Sequence, residues 1–199
     1  MKDIEFRNCA AVEVRADGDD GVVRVAGYAA RFNEPTPIGS AFMEVVRPGA
    51  FTNALKRGDD VEFLVNHEGL PIARNTAGNL RLTQDSVGLR IEADLDPSDP
   101  DVARIVSKMR KKGMLDQMSF AFQVSPGGQE WDESGDGLPT RSITDVTLYD
   151  VSIVNRGAYP TTSIALRSLE DARNKIEHPA HKRIAERKAK TEQVVRGIR

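Results

Sequence analysis

Short runs of alternating apolar and polar residues recur along the first 154 positions, and this pattern predicts a chain built mainly of strands. The predicted strands are 5–15, 22–32, 61–67, 79–83, 87–94, 117–124 and 141–154. Turn residues separate most of these runs, so neighbouring strands are expected to pair in antiparallel fashion. Two stretches, 68–74 and 125–139, are predicted loops. The expected fold is a mainly β barrel of about seven largely antiparallel strands, with a few flanking helices.

Two helices are predicted within this body. The first opens after Pro48-Gly49 and ends at Gly58. The second covers 99–112, where apolar residues recur at helical spacing, and Asp96 or Ser98 is the expected N-cap.

The composition changes at residue 168. Residues 168–199 carry nine Lys/Arg and five Asp/Glu, a local charge of +4, which leaves −6 for residues 1–167. We therefore expect a folded domain over 1–167 and a basic helical tail over 168–199, interrupted at Pro179. The tail is either a solvated helix or a docking segment for an acidic partner, and it carries no nucleic-acid-binding motif.

Several classes of protein do not fit the sequence. No apolar run approaches the ~20 residues that cross a bilayer, and the acidic residues near the N-terminus do not suit a secretory signal. Cys9 is the single cysteine, so neither an internal disulfide nor a thiolate metal cluster is expected. These features favour a reducing, intracellular setting, with no cofactor and no membrane partner.

His67 is the single histidine of the predicted body, since His178 and His181 lie in the basic tail. It stands where a predicted strand ends, a position from which a rigid scaffold can present a side chain to a substrate. A histidine in such a place is more often structural, so position alone does not make it catalytic.

Ser119 lies on the strand 117–124. Alternation places Met118, Phe120, Phe122 and Val124 on one face and Ser119, Ala121 and Gln123 on the other. The second face is small and polar enough to receive a peptide chain. A strand serine without function would have the same pattern.

Two acids occur on the last predicted strand, Asp145 and Asp150. Alternation places them on opposite faces, Asp150 together with Ser152, so at most one should meet His67. A serine nucleophile needs a base within hydrogen-bond reach, and the base needs an orienting partner. If this chain is a serine hydrolase, His67 is therefore the residue expected to act as its base.

The sequence resembles the prohead maturation proteases of tailed bacteriophages, which are distant relatives of the herpesvirus assemblins. The likeness covers about residues 20–167. It rests on the order and spacing of these segments: Gly27–Phe32, Val46–Phe51, Leu64–Glu68, Pro71–Arg74, Gly78–Leu82, Met118–Phe122, Val146–Val154 and Ala158–Pro160. Many relatives have Asp directly after the histidine, whereas this chain has Glu68.

The resemblance implies a serine endopeptidase in which His67 is the general base and Ser119 the nucleophile. Asp145 matches the position where the family usually places an acid, with Asp150 and Asp116 as alternatives. Arg156 is a candidate for shaping the oxyanion site. No Gly-x-Ser-x-Gly elbow is present, which disfavours an esterase of the α/β-hydrolase type.

The resemblance also implies a setting. Family members act in the host bacterial cytoplasm, inside the assembling procapsid, on the major capsid protein and its scaffolding segment and often on themselves. The portal is a further candidate partner, and a homo-oligomer is compatible with the likeness. The alternative reading is a catalytically silent, protease-like scaffold or assembly chaperone.

Overall fold

The protein is described from a computed structural model, which defines residues 4–9, 12–14, 21–111, 114–134, 137–155, 169–170 and 173. Two compact units are present, residues 1–160 and residues 161–199. The predicted boundary at 167/168 stays a prediction. In the second unit Leu169, Glu170 and Arg173 are helical, and the rest of the predicted tail lies outside the described residues.

Strands dominate the first unit, which confirms the mainly β class. Those described are β1 (Glu5–Cys9), β2 (Val12–Val14), β3 (Val23–Arg31), β4 (Thr36–Ile38), β5 (Phe42–Val46), β6 (Glu62–Val65), β7 (Glu68–Arg74), β8 (Leu80–Gln84), β9 (Gly88–Leu95), β10 (Gln117–Val124), β11 (Gln129–Asp132), β12 (Thr140–Ile143) and β13 (Val146–Val154). The helices described are α1 (Thr52–Arg57) and α2 (Pro100–Met109), with a short 3₁₀ turn at Asn75–Ala77.

The strands form three sheets, ordered β1-β10-β13-β6-β7, β11-β12-β5-β4 and β2-β3-β9-β8. Most neighbours are antiparallel, but β13 pairs with β6 and β12 with β5 in parallel. No closed barrel is formed by the described residues, so the predicted seven-stranded barrel is not confirmed.

Several predicted elements are confirmed. The strand predicted at 117–124 is β10, and the predicted hairpin at 79–94 is β8 and β9. Gly58 ends α1 in the left-handed conformation, with φ 69°. The cap of α2 is Asp99, not Asp96 or Ser98, because its carboxylate accepts from the backbone N–H groups of Asp101 and Val102.

Other predictions of strands and loops were wrong. Residues 68–74 form an edge strand, β7, where Pro71 can be tolerated because one side of an edge strand needs no partner. The segment 141–154 is two strands in two different sheets. Between them, the N–H groups of Thr144 and Asp145 both donate to the carbonyl of Gly128, at 2.8 and 3.1 Å. The predicted loop 125–139 contains strand β11.

The apolar core lies between the sheets and beneath the helices. Phe51, Phe120 and Phe122 form a buried aromatic chain, with ring centroids 5.6 and 4.9 Å apart. Burial of such rings stabilises the strand that carries Ser119, because Phe120 and Phe122 follow that serine along β10.

Candidate active site

His67 occupies a tight turn between β6 and β7. Asn66 and His67 both have positive φ, 54° and 61°, and the flanking residues Val65 and Glu68 are paired. A two-residue hairpin turn that matches strand twist needs positive φ at both central positions, and Asn and His tolerate this better than most residues. The N–H of Asn66 donates to the carbonyl of Ile153 at 3.0 Å, which fixes the turn against β13.

The structure brings His67 and Ser119 together. Ser119 lies on β10, one strand beyond β13, and Nε2 of His67 lies 2.6 Å from its Oγ. The imidazole therefore reaches across β13, from the β6–β7 turn to the neighbouring strand. This is within the distance at which a base can take a hydroxyl proton.

The acid beside His67 is Asp150, not Asp145. Oδ1 of Asp150 lies 2.6 Å from Nδ1 of His67. Asp145 lies before the first residue of β13, and five extended residues span ~16 Å; its Oδ1 accepts instead from Nδ2 of Asn53 at 3.1 Å. The structure does not bring Asp145 to His67, because the chain turns at residues 144–145 before β13 begins. Asp116, the other alternative, precedes β10.

Ser152 completes the arrangement and was not predicted as a site residue. Its Oγ donates to Oδ1 of Asp150 at 3.0 Å and accepts from the backbone N–H of His67 at 3.1 Å. It also lies directly opposite Ser119 in the β10–β13 pair. The alternation that placed Asp150 and Ser152 on one face was the signal that could have found it.

The chemistry of this set follows from the proton positions. When the imidazole carries its proton on Nδ1, it donates to Asp150, and the Nε2 lone pair faces the Ser119 hydroxyl. A hydroxyl, an imidazole and a carboxylate are thus connected in the order that acyl transfer requires. Arg156, the candidate for the oxyanion site, lies outside the described residues.

Strand β1 covers the site. Ser119 has no exposed surface, and its hydroxyl is also 2.9 Å from the carbonyl oxygen of Arg7. The Phe6 ring lies 4.5 Å from the His67 ring, centroid to centroid. The imidazole side chain keeps 14% of its surface exposed.

Four buried ions lie beside the site. They are Glu5, Arg7, Glu44 and Arg141, all 5% exposed or less. Burial alone raises the pKa of Glu5, but contacts with Arg141 and Arg7 outweigh it and hold that pKa below the ordinary value. Burial lowers the pKa of Arg7, and the carboxylates of Glu44 and Glu5 outweigh it and raise that pKa.

No cluster of three or more His, Cys, Asp or Glu residues with the arrangement of a metal site occurs in the described part of the chain. Within the same residues, no helix is long and apolar enough to span a membrane.

Comparison with protein families decides the class. A model of the caudovirus prohead serine proteases matches residues 10–176, most of the chain. The chain belongs to this family. The prohead serine protease match includes His67, Ser119, Asp150 and Ser152, and it begins directly after β1.

The chain has a distant structural likeness to another capsid protease. One solved structure that it resembles is the capsid assembly protease of bacteriophage T4, gp21, with 8% sequence identity and a TM-score of 0.45. The likeness covers 76% of this chain and 96% of the other. No curated protein sequence matches the chain.

Proposed function

We propose that this prohead serine protease is an active endopeptidase with Ser119 as nucleophile, His67 as general base and Asp150 as the acid that orients the imidazole. The observation that carries the proposal is the linear connection Ser119 Oγ, His67 Nε2, His67 Nδ1 and Asp150 Oδ1, with 2.6 Å at each hydrogen bond. Ser152 is a positioning residue, since its hydroxyl forms hydrogen bonds with the acid and with the backbone of the histidine.

The reaction proceeds by acyl transfer. Ser119 Oγ attacks the scissile carbonyl carbon while Nε2 of His67 takes the hydroxyl proton and later gives it to the leaving amine. The Asp150 carboxylate stabilises the imidazolium that exists between these two steps. Water then hydrolyses the acyl-enzyme by the same proton transfers in reverse.

The substrates that fit the family are the major capsid protein and its scaffolding segment, cleaved inside the assembling procapsid in the host cytoplasm. Self-cleavage, contact with the portal and assembly into a homo-oligomer belong to the same proposal. The basic segment 168–199 is proposed to recruit the enzyme to acidic capsid or scaffold surfaces.

The test is co-expression of the chain with its capsid protein, followed by mass spectrometry of the products. Wild type should cleave the capsid protein, whereas Ser119→Ala and His67→Gln should lower the rate by on the order of 10⁴-fold or more. Asp145→Asn is the matched control and should cleave like wild type. An unchanged capsid protein with all four chains would favour the silent scaffold.

A further inference from the structure

Ser119 cannot meet a substrate while β1 is in place. The side chain is fully buried, and β1 pairs directly with the strand that carries it, with Asn8 opposite Ser119 and Arg7 opposite Phe120. β1 has five residues and stands at the edge of its sheet, with β10 as its single neighbour in the strand order. Of the strands around the nucleophile, it is the one that can leave without breaking the sheet apart.

β1 lies on the sheet edge as an added strand would lie. Extended peptides bind proteases and other receptors by adding a strand to a sheet edge, with main-chain pairing for affinity and alternate side chains for specificity. β1 lies on β10 in this antiparallel manner and brings the carbonyl of Arg7 to 2.9 Å from the Ser119 hydroxyl. The preceding residue, Phe6, packs its ring on the imidazole of His67.

The contact with Arg7 also competes with His67 for the hydroxyl proton of Ser119. The hydroxyl of Ser119 has one proton and two acceptors within reach, Nε2 of His67 and the carbonyl oxygen of Arg7. While it donates to Arg7, it does not present that proton to the base.

Alternate side chains of β1 enter one charged recess. Glu5 and Arg7 point to the same face, and Nε of Arg7 donates to Oε1 of Glu44 at 2.5 Å. Arg141 binds both carboxylate oxygens of Glu5, at 2.7 and 2.9 Å. Glu44 and Arg141 also contact each other, at 3.0 Å. A cavity of about 300 Å³ continues from this recess beside Arg7 and Asn8.

We propose that β1 occupies the groove in which substrate strands bind, and that Glu44 and Arg141 select substrates carrying a basic residue at the position of Arg7 and an acidic residue two positions before it. This rests on the proposed peptidase function. Exchange of β1 for such a strand keeps every buried ion paired. A strand with neutral side chains leaves Glu44 and Arg141 with only each other as buried partners, and a strand with reversed charges places a like charge against each of them.

The groove also fixes the bond that is cut. In a substrate bound in the place of β1, Ser119 Oγ forms an ester with the carbonyl carbon of the basic residue as the C–N bond to the next residue breaks. The proton taken by His67 passes to that amide nitrogen, which leaves as the new N-terminal amine. Water then cleaves the ester to a carboxylate and restores the serine.

The first experiment measures access to Ser119 in the full chain by the rate of labelling with a fluorophosphonate. Phe6→Ala removes the ring on His67 but none of the buried ions, so labelling should be at least ten-fold faster than in wild type. Val87→Ala, at the β8–β9 turn, is the matched control and should label like wild type, and Ser119→Ala should not label. Thermal melts identify any variant that does not fold.

Equal labelling rates in wild type and folded Phe6→Ala would overturn the proposal that β1 occupies the substrate groove. The assignment of Ser119 as nucleophile would stay intact. No labelling in either chain would overturn the proposed function itself. The two failures are therefore distinguishable.

The second experiment tests the charge selection with two peptides, so its main comparison needs no variant of the buried ions. One peptide copies residues 3–11 with Ser in place of Cys9, and its isomer has the residues corresponding to Glu5 and Arg7 exchanged. Wild type and Phe6→Ala should cut the first peptide after Arg, with kcat/KM at least 100-fold above that for the isomer. Glu44→Gln should reduce this preference. Equal cleavage of the two peptides would overturn the proposed charge selection. So would a failure to cleave either peptide by chains in which the fluorophosphonate labels Ser119.

Discussion

At the scale of single residues, the position of one carboxylate decides how the imidazole is held. Asp150 faces Nδ1 of His67, whereas Asp145 faces the amide of Asn53. The sequence singled out His67 because no other histidine lies in the predicted body, but strict alternation did not hold for the two acids, because a bulge interrupts β13 between Leu148 and Asp150. The sequence could not choose between the two acids, since nothing local shows that the chain turns at residues 144–145.

Replacement of Asp150 gives the first prediction. Asp150→Asn keeps the size of the side chain but no longer fixes the productive tautomer or balances the imidazolium, so kcat should fall by on the order of 10³–10⁴-fold. Peptide cleavage by the purified variants measures this, with Asp145→Asn as control. Comparable losses in both variants would show that the turn at residues 144–145, rather than proton transfer, governs activity.

Ser152 gives the second prediction, for a positioning role. Ser152→Ala leaves the N–H of His67 and one oxygen of Asp150 with one fewer partner, so we expect kcat to fall by roughly ten-fold and KM to stay constant. The free energy of unfolding should fall by about 1–3 kcal/mol. Steady-state kinetics and urea titrations measure the two effects, and Ser134→Ala, at an exposed serine, serves as control. A change in KM alone would contradict the role.

At the scale of elements, the turn from β12 to β13 fixes where β13 begins, and β13 carries Asp150 and Ser152. Both strands were predicted as one, because their apolar residues continue through 141–154 without a Gly or Pro. The turn depends on Gly128, which lies on a different segment and accepts from Thr144 and Asp145. A contact between distant segments is not visible in local periodicity, and the same holds for the parallel pairing of β13 with β6.

Gly128 gives the third prediction. A Cβ there would lie 2.3 Å from the carbonyl oxygen of Asp145 and 3.0 Å from that of Ser125, both of them backbone atoms. Gly128→Ala should therefore displace the start of β13 and lower the free energy of unfolding by about 1–3 kcal/mol. Gly137→Ala, where a Cβ meets nothing within 4 Å, is the matched control. Equal urea midpoints for the two variants would show that the turn yields without strain.

At the scale of the whole molecule, the mainly β class followed from the sequence, whereas the division into three sheets did not. The buried ions of Glu5, Arg7, Glu44 and Arg141 illustrate the reason. The two ions on β1 are 37 to 136 positions away in the sequence from the ions of the other strands that they bind. In the sequence each of them is an ordinary charged residue of a strand. Their pairing arises only when the strands come together in the fold.

These ions give the fourth prediction, a pH dependence. The pKa of Glu5 is lowered from its ordinary value of 4.5 in the folded chain, since the contacts with Arg141 and Arg7 outweigh burial. Its contribution to stability is therefore complete above pH 4.5 and is lost as the pH falls through the depressed folded-state pKa. Urea titrations should show the gap between wild type and Glu5→Gln shrinking below pH 4.5. Glu130→Gln, at an exposed acid, is the control, and a constant gap for Glu5→Gln would contradict the assignment.

The buried quartet also joins two sheets, because Glu5 and Arg7 belong to β1 whereas Glu44 and Arg141 lie on β5 and β12. Departure of β1 removes half of the quartet, so the molecule should be least heat-resistant at the moment when it is ready to act. A peptide that refills the groove should raise the melting temperature again. Selection of variants for heat resistance alone would then favour a tighter first strand and, with it, a slower enzyme.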